Sequence, residues 1–210
     1  MKANQKIPSG EGEAELIEKK SRFISHVFHI TTVEEANEKL AELRKKYWDA
    51  SHNCYAYILD SDNVMRFSDD GEPQGTAGMP ILEVLKKQQI YCVLVVVTRY
   101  FGGILLGAGG LTRAYGKAAT LGLENSGVSV LMPYYSVKIA TPYNFFDQIR
   151  RTYEHFDVSE TAVEYGADVT ITAAMPKEKF EGFSKQLTEL TSAAVSPEIL
   201  EETLLPQRIS

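Results

Sequence analysis

A glycine-rich segment with basic residues, "TRYFGGILLGAGGLTRAYGK" at 98–117, has the composition of an anion site. It follows the apolar run 90–97 and leads into a helical pattern, so it joins a buried strand to the start of a helix. The free amides and dipole of a helix N-terminus favour phosphate, and Arg99, Arg113 and Lys117 add positive charge. Ala108 and Gly109 stand where a P-loop needs Lys and Ser/Thr, so that motif is excluded. Tight turns and close helix packing are the alternative explanation of the glycines, which stand at 102, 103, 107, 109 and 110.

An acidic segment, "RFSDDGEPQGTAGMP" at 66–80, is the second group of residues with chemical potential. Asp69, Asp70 and Glu72, close to Thr76, carry the oxygen ligands that Mg²⁺ prefers. The same carboxylates also suit the capping of turns and of the next helix. Because neither a calcium-loop spacing nor a two-metal set of acids is present, capping is favoured. We therefore expect no metal and no cofactor, with Mg²⁺ required only if the segment belongs to an enzyme.

Aromatic residues accompany the basic ones. Tyr100 and Phe101 follow Arg99, and Tyr115 precedes Lys117 by two positions. Cations and rings together suit stacking on nucleobases. Packing in the core is the alternative for Phe101 and Tyr115.

Two smaller groups have weaker chemical patterns. Lys19, Lys20 and Arg22 form a basic cluster that also fits a solvated strand end. His52 and Cys54 lie two apart on one strand face, but a Cys–His nucleophile needs close contact and a third, orienting group. We expect no catalysis at that pair.

The composition limits the class of protein. With 210 residues and a formal charge of −6, the chain can bury a substantial core and is a poor general DNA coat. Cys54 and Cys92 form neither a CxxC nor a zinc spacing, which is typical of the reduced cytosol. No apolar signal region is present, and the longest apolar run, 90–97, is too short to span a bilayer. These features predict a cytoplasmic protein without a membrane partner.

Periodicity predicts the elements that position these segments. Thr32 and Glu35 form a capping-box pattern at the start of an amphipathic helix. The residues at 60–63 read as a tight polar turn, and Pro80 as the first residue of a helix. Helices on one face of a sheet make a two-layer α/β sandwich. The predicted elements are strands near 13–17 and at 22–30, 52–59, 64–68 and 90–98, helices at 31–49 and 80–89, and a helix that opens from the glycine-rich turn and ends near Gly127.

The pattern restarts after Pro133, which divides the chain into predicted domains at 1–131 and 132–210. The second half reads βαββαβ, the ferredoxin-like order, and the whole chain is of the α+β class. Its predicted elements are strand 134–140, helix 143–156, strands 158–166 and 167–174, helix 177–193 and a last strand at 198–204.

"FSDDGEPQGTAGMPIL" at 67–82 and "VVVTRYFGGILLGAGGLTRAYGKA" at 95–118 resemble the two signature segments of the IMPACT family, in its bacterial YigZ/YvyE-like branch. The segments "EKKSRFI" at 18–24 and "SHNCYAY" at 51–57 match as well, so the resemblance covers about 13–127. The signature positions are Asp69, Asp70, Gly71, Glu72, Pro73, Gly75, Thr76, Gly78 and Pro80, then Arg99, Tyr100, Gly102, Gly103, Gly107 and 110–113.

The resemblance implies an N-terminal domain with the fold of the second domain of ribosomal protein S-five. It also implies a ferredoxin-like domain similar to the last domain of elongation factor G, and both comparisons point to translation. Eukaryotic relatives regulate translation by competing for the activator of an eIF-two-alpha kinase, with an extra RWD domain for which this chain has no room. That kinase-related role is therefore not expected here.

The main functional prediction is a non-catalytic binding protein that contacts RNA, the ribosome or a translation factor. The contacts are expected at Arg99, Tyr100, Arg113 and Lys117, with Tyr115 and Gly102, Gly103, Gly107 and Gly110 completing the surface. Replacing Arg99 or Arg113 by Glu is expected to remove binding and leave the fold intact. A phosphate- or nucleotide-handling enzyme is the alternative, and a partner protein docking on the C-terminal sheet is the third hypothesis.

Overall fold

The computed structural model describes residues 1–60 and 64–209, which form two compact units. One unit comprises Met1–Leu131 together with the chain end from Pro206, and the other comprises Met132–Leu205. The sequence assigns the chain end to the second domain. The structure places it with the first unit, because the amide of Ile209 donates to the carbonyl of Val128 at 2.8 Å.

The first unit is built on an antiparallel sheet with the strand order β2-β3-β6-β4-β5. Strand β6 lies at its centre, and its run from Val93 to Arg99 is buried on both faces, as predicted from its continuous apolar sequence. A short strand missed by the sequence analysis, β1, pairs with the start of β7. The predicted turn at 60–63 falls largely outside the described residues. The elements of this unit are β1 (Lys6–Pro8), β2 (Gly12–Glu18), β3 (Ser21–His29), α1 (Val33–Lys46), β4 (His52–Ile58), β5 (Met65–Ser68), α2 (Gly78–Gln88), β6 (Val93–Tyr100), α3 (Ala108–Ser126) and the beginning of β7 (Val128–Thr141).

Helices cover both faces of this sheet. On one face α2 and α3 pack against Val95 and Val97 of β6. On the other face α1 packs against Leu94 and Val96. The predicted sandwich of sheet and helices is present, but α1 lies opposite the other two helices instead of beside them. The alternation of side chains along β6 explains this, since both of its faces are apolar.

The second unit has the predicted ferredoxin-like arrangement, with strand order β10-β7-β9-β8. Alternate residues of β9 are buried, and they share a core with Ile149 and Phe183 from the helices. The helix predicted at 143–156 is interrupted at residues 151–152, where the hydroxyl of Thr152 donates to the carbonyl of Ile149 at 2.7 Å. The remaining elements are α4 (Tyr143–Arg150), α5 (Tyr153–Phe156), β8 (Ser159–Tyr165), β9 (Val169–Pro176), a 3₁₀ turn (Lys177–Lys179), α6 (Phe180–Leu190) and β10 (Glu198–Arg208).

Among the described residues, no helix combines the length and the apolar character needed to cross a membrane.

Candidate functional site

A buried ion pair joins the acidic and glycine-rich segments. Nη1 of Arg99, at the end of β6, lies 2.6 Å from Oε1 of Glu72. The hydroxyl of Tyr115, from α3, donates to the same oxygen at 2.8 Å. Arg99 is only 5% exposed, so it is not the surface cation that the sequence predicted. Its charge is used inside the fold, where it neutralises the Glu72 carboxylate.

Tyr115 and Phe101, for which the sequence allows either stacking on a ligand or packing in the core, differ in their exposure. Tyr115 is fully buried and packs edge-on against Phe23, with ring centroids 5.1 Å apart. Burial raises the pKa of the Tyr115 hydroxyl, which keeps it a hydrogen-bond donor to Glu72. Phe101, in contrast, is 50% exposed. Phe101 is therefore available to a ligand, and the prediction of a stacking role for Tyr115 is wrong.

Tyr100 is half-buried and already has partners. Its hydroxyl donates to Oδ1 of Asp49 at 2.8 Å, and the Arg22 guanidinium lies 5.6 Å from the centre of its ring. These contacts connect the end of β6 to the residues that follow α1.

Asp69 caps helix α2 from nine residues away. Its Oδ1 accepts hydrogen bonds from the amides of Ala77 and Gly78 at 3.0 and 2.8 Å, and its Oδ2 accepts one from Gly75 at 2.8 Å. These amides would otherwise be unpaired at the helix start. The helix consequently begins at Gly78, two residues before the predicted start at Pro80.

The other acidic-segment residues are also bound within the protein. Oδ2 of Asp70 accepts from the amide of Asn53 at 2.7 Å, and its Oδ1 lies 3.4 Å from Nη2 of Arg44. The hydroxyl of Thr76 donates to the carbonyl of Pro73 at 2.6 Å. In residues 1–60 and 64–209, no group of three His, Cys, Asp or Glu side chains could hold a metal ion. The carboxylates therefore act as caps and ion-pair partners in this fold.

A cavity of about 510 Å³ opens beside the Arg99–Glu72 pair. His52 lines this cavity. Its Nδ1 lies 2.8 Å from the carbonyl oxygen of Asp70. Because a carbonyl oxygen can only accept a hydrogen bond, Nδ1 carries the proton in the neutral form of the ring. The other nitrogen, Nε2, lies 4.0 Å from Oε1 of Glu72. The cavity is lined by Ser51, His52, Gly71, Glu72, Pro73, Arg99, Phe101, Leu105, Leu106, Gly107, Ala108 and Leu111.

Cys54 does not form a reactive pair with His52. Its thiol is buried, donates to the carbonyl of Asp69 at 3.0 Å and lies 3.4 Å from the Tyr115 hydroxyl. Burial raises the pKa of the Cys54 thiol to about 12, so almost no thiolate forms at neutral pH.

Two glycines, Gly102 and Gly107, fix the conformation of the glycine-rich turn. A side chain at Gly102 would collide with the backbone of Lys20 and Ser21, so the turn rests directly on the β2–β3 hairpin. Gly107 precedes helix α3 with a φ of 70°, a conformation that favours glycine. Helix α3 then begins without a side-chain cap and without an acidic residue in its first turn. Gly103 is exposed and Gly110 is half-buried.

Two basic groups that are distant in the sequence meet beside this turn. Lys19 lines a cavity of about 220 Å³ together with Arg113 and Lys117, and the acidic Glu18 lines the same cavity. Lys20 is adjacent in the hairpin, and all four basic side chains are exposed. Within the described part of the chain, none of the four forms an ion pair or a hydrogen bond. We call Lys19, Lys20, Arg113 and Lys117 the basic surface.

The comparisons with known proteins identify the family. A model of the Impact N-terminal domain matches residues 19–123, and a domain of unknown function (DUF1949) matches residues 139–194. The IMPACT family member YvyE of Bacillus subtilis (strain 168) is 40% identical over 182 residues, which cover 86% of this chain and 84% of YvyE. This chain belongs to the IMPACT family.

A second bacterial relative matches most of the chain, and a eukaryotic relative matches about half of it. The IMPACT family member YigZ of Escherichia coli (strain K12) is 34% identical, covering 88% of this chain and 92% of YigZ. Protein IMPACT of Rattus norvegicus is 32% identical over 107 residues, 49% of this chain and 34% of that protein. A crystal structure of a hypothetical protein matches with a TM-score of 0.60 at 31% identity, covering 96% of this chain and 99% of the other.

Proposed function

We propose that this IMPACT family member is a non-catalytic cytoplasmic protein that binds RNA of the translation machinery through its basic surface. The observation that carries the proposal is the convergence of Lys19, Lys20, Arg113 and Lys117 without a carboxylate partner among the described residues. The role in translation rests on the family resemblance, which implies folds for both domains that are similar to domains of translation proteins.

Charge and geometry both support an anionic partner. The whole chain has a formal charge of −6, so a group of unpaired cations is a local exception in an acidic protein. Such a protein has no strong general affinity for DNA, and its binding depends on this one surface. The half-exposed ring of Phe101 and the open start of α3 lie at the same glycine-rich turn. Cations beside an exposed ring suit single-stranded RNA, whose bases are free to stack.

The proposal predicts a measurable salt dependence. Four phosphate contacts to a single strand give a slope of about −3 for log K against log salt concentration. Affinity should therefore fall roughly 50-fold between about 50 and 200 mM salt. Fluorescence anisotropy of a labelled single-stranded RNA measures this directly, and co-sedimentation with ribosomal subunits tests the link to translation.

A double charge reversal locates the surface. The variant Lys19→Glu/Arg113→Glu should lose binding and keep the circular dichroism spectrum of the parent protein, because both side chains are exposed. The matched control is Arg151→Glu/Lys185→Glu, which makes the same change of net charge on exposed residues of the second unit. Equal loss in both variants, or loss in the control alone, would contradict the proposed site.

A phosphate- or nucleotide-handling enzyme is the second candidate function, favoured by the cavity of about 510 Å³ beside Glu72 and His52. In that case a nucleotide, with or without Mg²⁺, should raise the melting temperature, and His52→Asn, a change at a residue that lines the cavity, should abolish the effect. A screen in which no nucleotide shifts the melting temperature would remove this candidate.

A further inference from the structure

The single tryptophan of the sequence, Trp48, is 83% exposed. Tryptophan has a large apolar ring that folded proteins usually bury to a high degree. Trp48 lies between α1 and β4, in a segment that the sequence analysis did not select. Its exposure in an otherwise well-packed unit therefore needs an explanation.

Hydrogen bonds hold the segment around Trp48 against the end of β6. The adjacent Asp49 accepts from the Tyr100 hydroxyl at 2.8 Å. The amide of Ser51 donates to the carbonyl of Arg99 at 2.9 Å, and the hydroxyl of Ser51 accepts from the amide of Phe101 at 3.2 Å. Two exposed rings, Trp48 and Phe101, thus belong to segments that are hydrogen-bonded to each other.

The same end of the sheet carries the basic surface. Arg22, two residues after Lys20, pairs with Tyr100 in the antiparallel ladder, so the Lys19–Lys20 turn and Phe101 lie at the same end of the sheet. The Lys19–Lys20 turn at this end of the sheet is part of the basic surface.

Positive charge also precedes Trp48 in the sequence. The last turn of α1 carries Arg44, Lys45 and Lys46. Lys45 forms no ion pair with a described residue, and the ammonium of Lys46 lies 4.9 Å from the centre of the Tyr47 ring. An exposed ring between cations has the chemistry of a single-strand binding surface, where phosphates meet the charges and bases stack on the rings. A protein partner of ordinary composition has no such requirement for cations around the ring.

We propose that Trp48 and Phe101 are stacking platforms for unpaired bases of the RNA whose phosphates contact the basic surface. The inference rests on the proposed function and extends it, because it names the two rings on which the bases of single-stranded RNA stack and adds Trp48 to the binding surface. Stacking on each ring contributes to affinity without base-specific hydrogen bonds, so the preference is for strandedness and not for sequence.

The intrinsic fluorescence of Trp48 tests the inference, since no other tryptophan contributes to the signal. Single-stranded RNA should quench this fluorescence with the same midpoint as the anisotropy titration, and a duplex of the same sequence should not. Trp48→Ala should weaken binding roughly 5- to 150-fold, the range of one base stacked on one aromatic side chain. RNA binding by the Trp48→Ala variant should have the same salt dependence as binding by the parent protein, because no phosphate contact is removed. The matched variant Trp48→Phe, followed by anisotropy, should retain most of the affinity.

The outcomes separate the two proposals. Salt-sensitive RNA binding with no quenching, or with Trp48→Ala equal to the parent protein, would overturn the stacking role and leave the basic surface intact. Quenching by a ribosomal protein but not by RNA would show that Trp48 serves a protein contact. Absence of RNA binding at low salt would overturn the proposed function itself.

Discussion

Replacing Glu72 by Gln isolates the charge of the buried pair. Glutamine has nearly the shape of glutamate, and its carbonyl can still accept from Tyr115 and Arg99. What changes is that the Arg99 guanidinium, whose side chain is only 7% exposed, loses its neutralising partner. Removing one member of a buried ion pair typically costs about 3–5 kcal/mol of folding free energy.

That cost is large but does not exhaust the stability of an ordinary domain, which is about 5–15 kcal/mol. With a urea slope of about 2 kcal/mol/M, the midpoint of unfolding should fall by about 1.5–2.5 M. Far-UV circular dichroism is the suitable signal, since the exposed Trp48 changes its surroundings little on unfolding. The two units can unfold in separate transitions, and only the transition of the first unit should move.

A surface ion pair provides the control. Glu83 lies 3.8 Å from Lys86, and both side chains are largely exposed. Glu83→Gln should therefore cost less than about 1 kcal/mol. The double variant Glu72→Gln/Arg99→Met should regain much of the lost stability, because it removes the uncompensated charge. If Glu72→Gln unfolds within 0.5 M urea of the control, a range of about 1 kcal/mol at that slope, the reasoning is refuted.

The same pair changes how binding should be tested. The sequence predicted that Arg99→Glu would remove binding and preserve the fold. In the structure this substitution places a second carboxylate against Glu72 in a buried site. Loss of binding in that variant would report unfolding, so charge reversals are informative only at exposed positions such as Lys19 and Arg113.

Two further predictions concern the packing around the site. Gly102→Ala should destabilise the first unit by about 1–3 kcal/mol and weaken RNA binding, since the new methyl displaces the backbone of Lys20. Gly109→Ala, with open space around it, should be neutral or stabilising by up to about 1 kcal/mol in the same urea titration. Cys54, whose pKa is raised to about 12, and Cys92, whose pKa burial also raises, should resist alkylation at pH 8 in the native protein and react in urea. Rapid labelling of the native protein would contradict the buried environment of both thiols.

Elements with a local sequence signal were predictable. The continuous apolar run of β6 indicated a buried central strand, and Thr32 caps α1 as its spacing with Glu35 suggested, with a 3.1 Å bond from the Glu35 amide. The buried position of Tyr115 also had a signal, because Leu111, Tyr115 and Ala118 recur at helical spacing on one face of α3. That periodicity separates Tyr115 from the exposed Arg113.

The ion pair and the basic surface depend on contacts that no local pattern shows. Glu72 and Arg99 are 27 positions apart, and an isolated arginine is usually exposed, so its burial follows only from the tertiary fold. Lys19 and Arg113 come together because the glycine-rich turn that leads into α3 rests on the hairpin at Gly102. Trp48 gave no periodic or motif signal, and only its solvent exposure draws attention to it.

Under the proposed function, the hairpin that carries Lys19 and Lys20 sets folding stability against RNA binding. Both residues have positive φ angles, 45° and 67°, in a two-residue connection closed by the pairing of Glu18 with Ser21. Such a turn favours Asn-Gly, and a lysine held in this conformation costs about 1–3 kcal/mol. Substitutions that relax the backbone here would also delete half of the cationic side chains at the surface. Selection for thermostability alone would therefore drive this position away from lysine, and a hyperstable relative with Asn-Gly in the turn would be expected to bind RNA poorly.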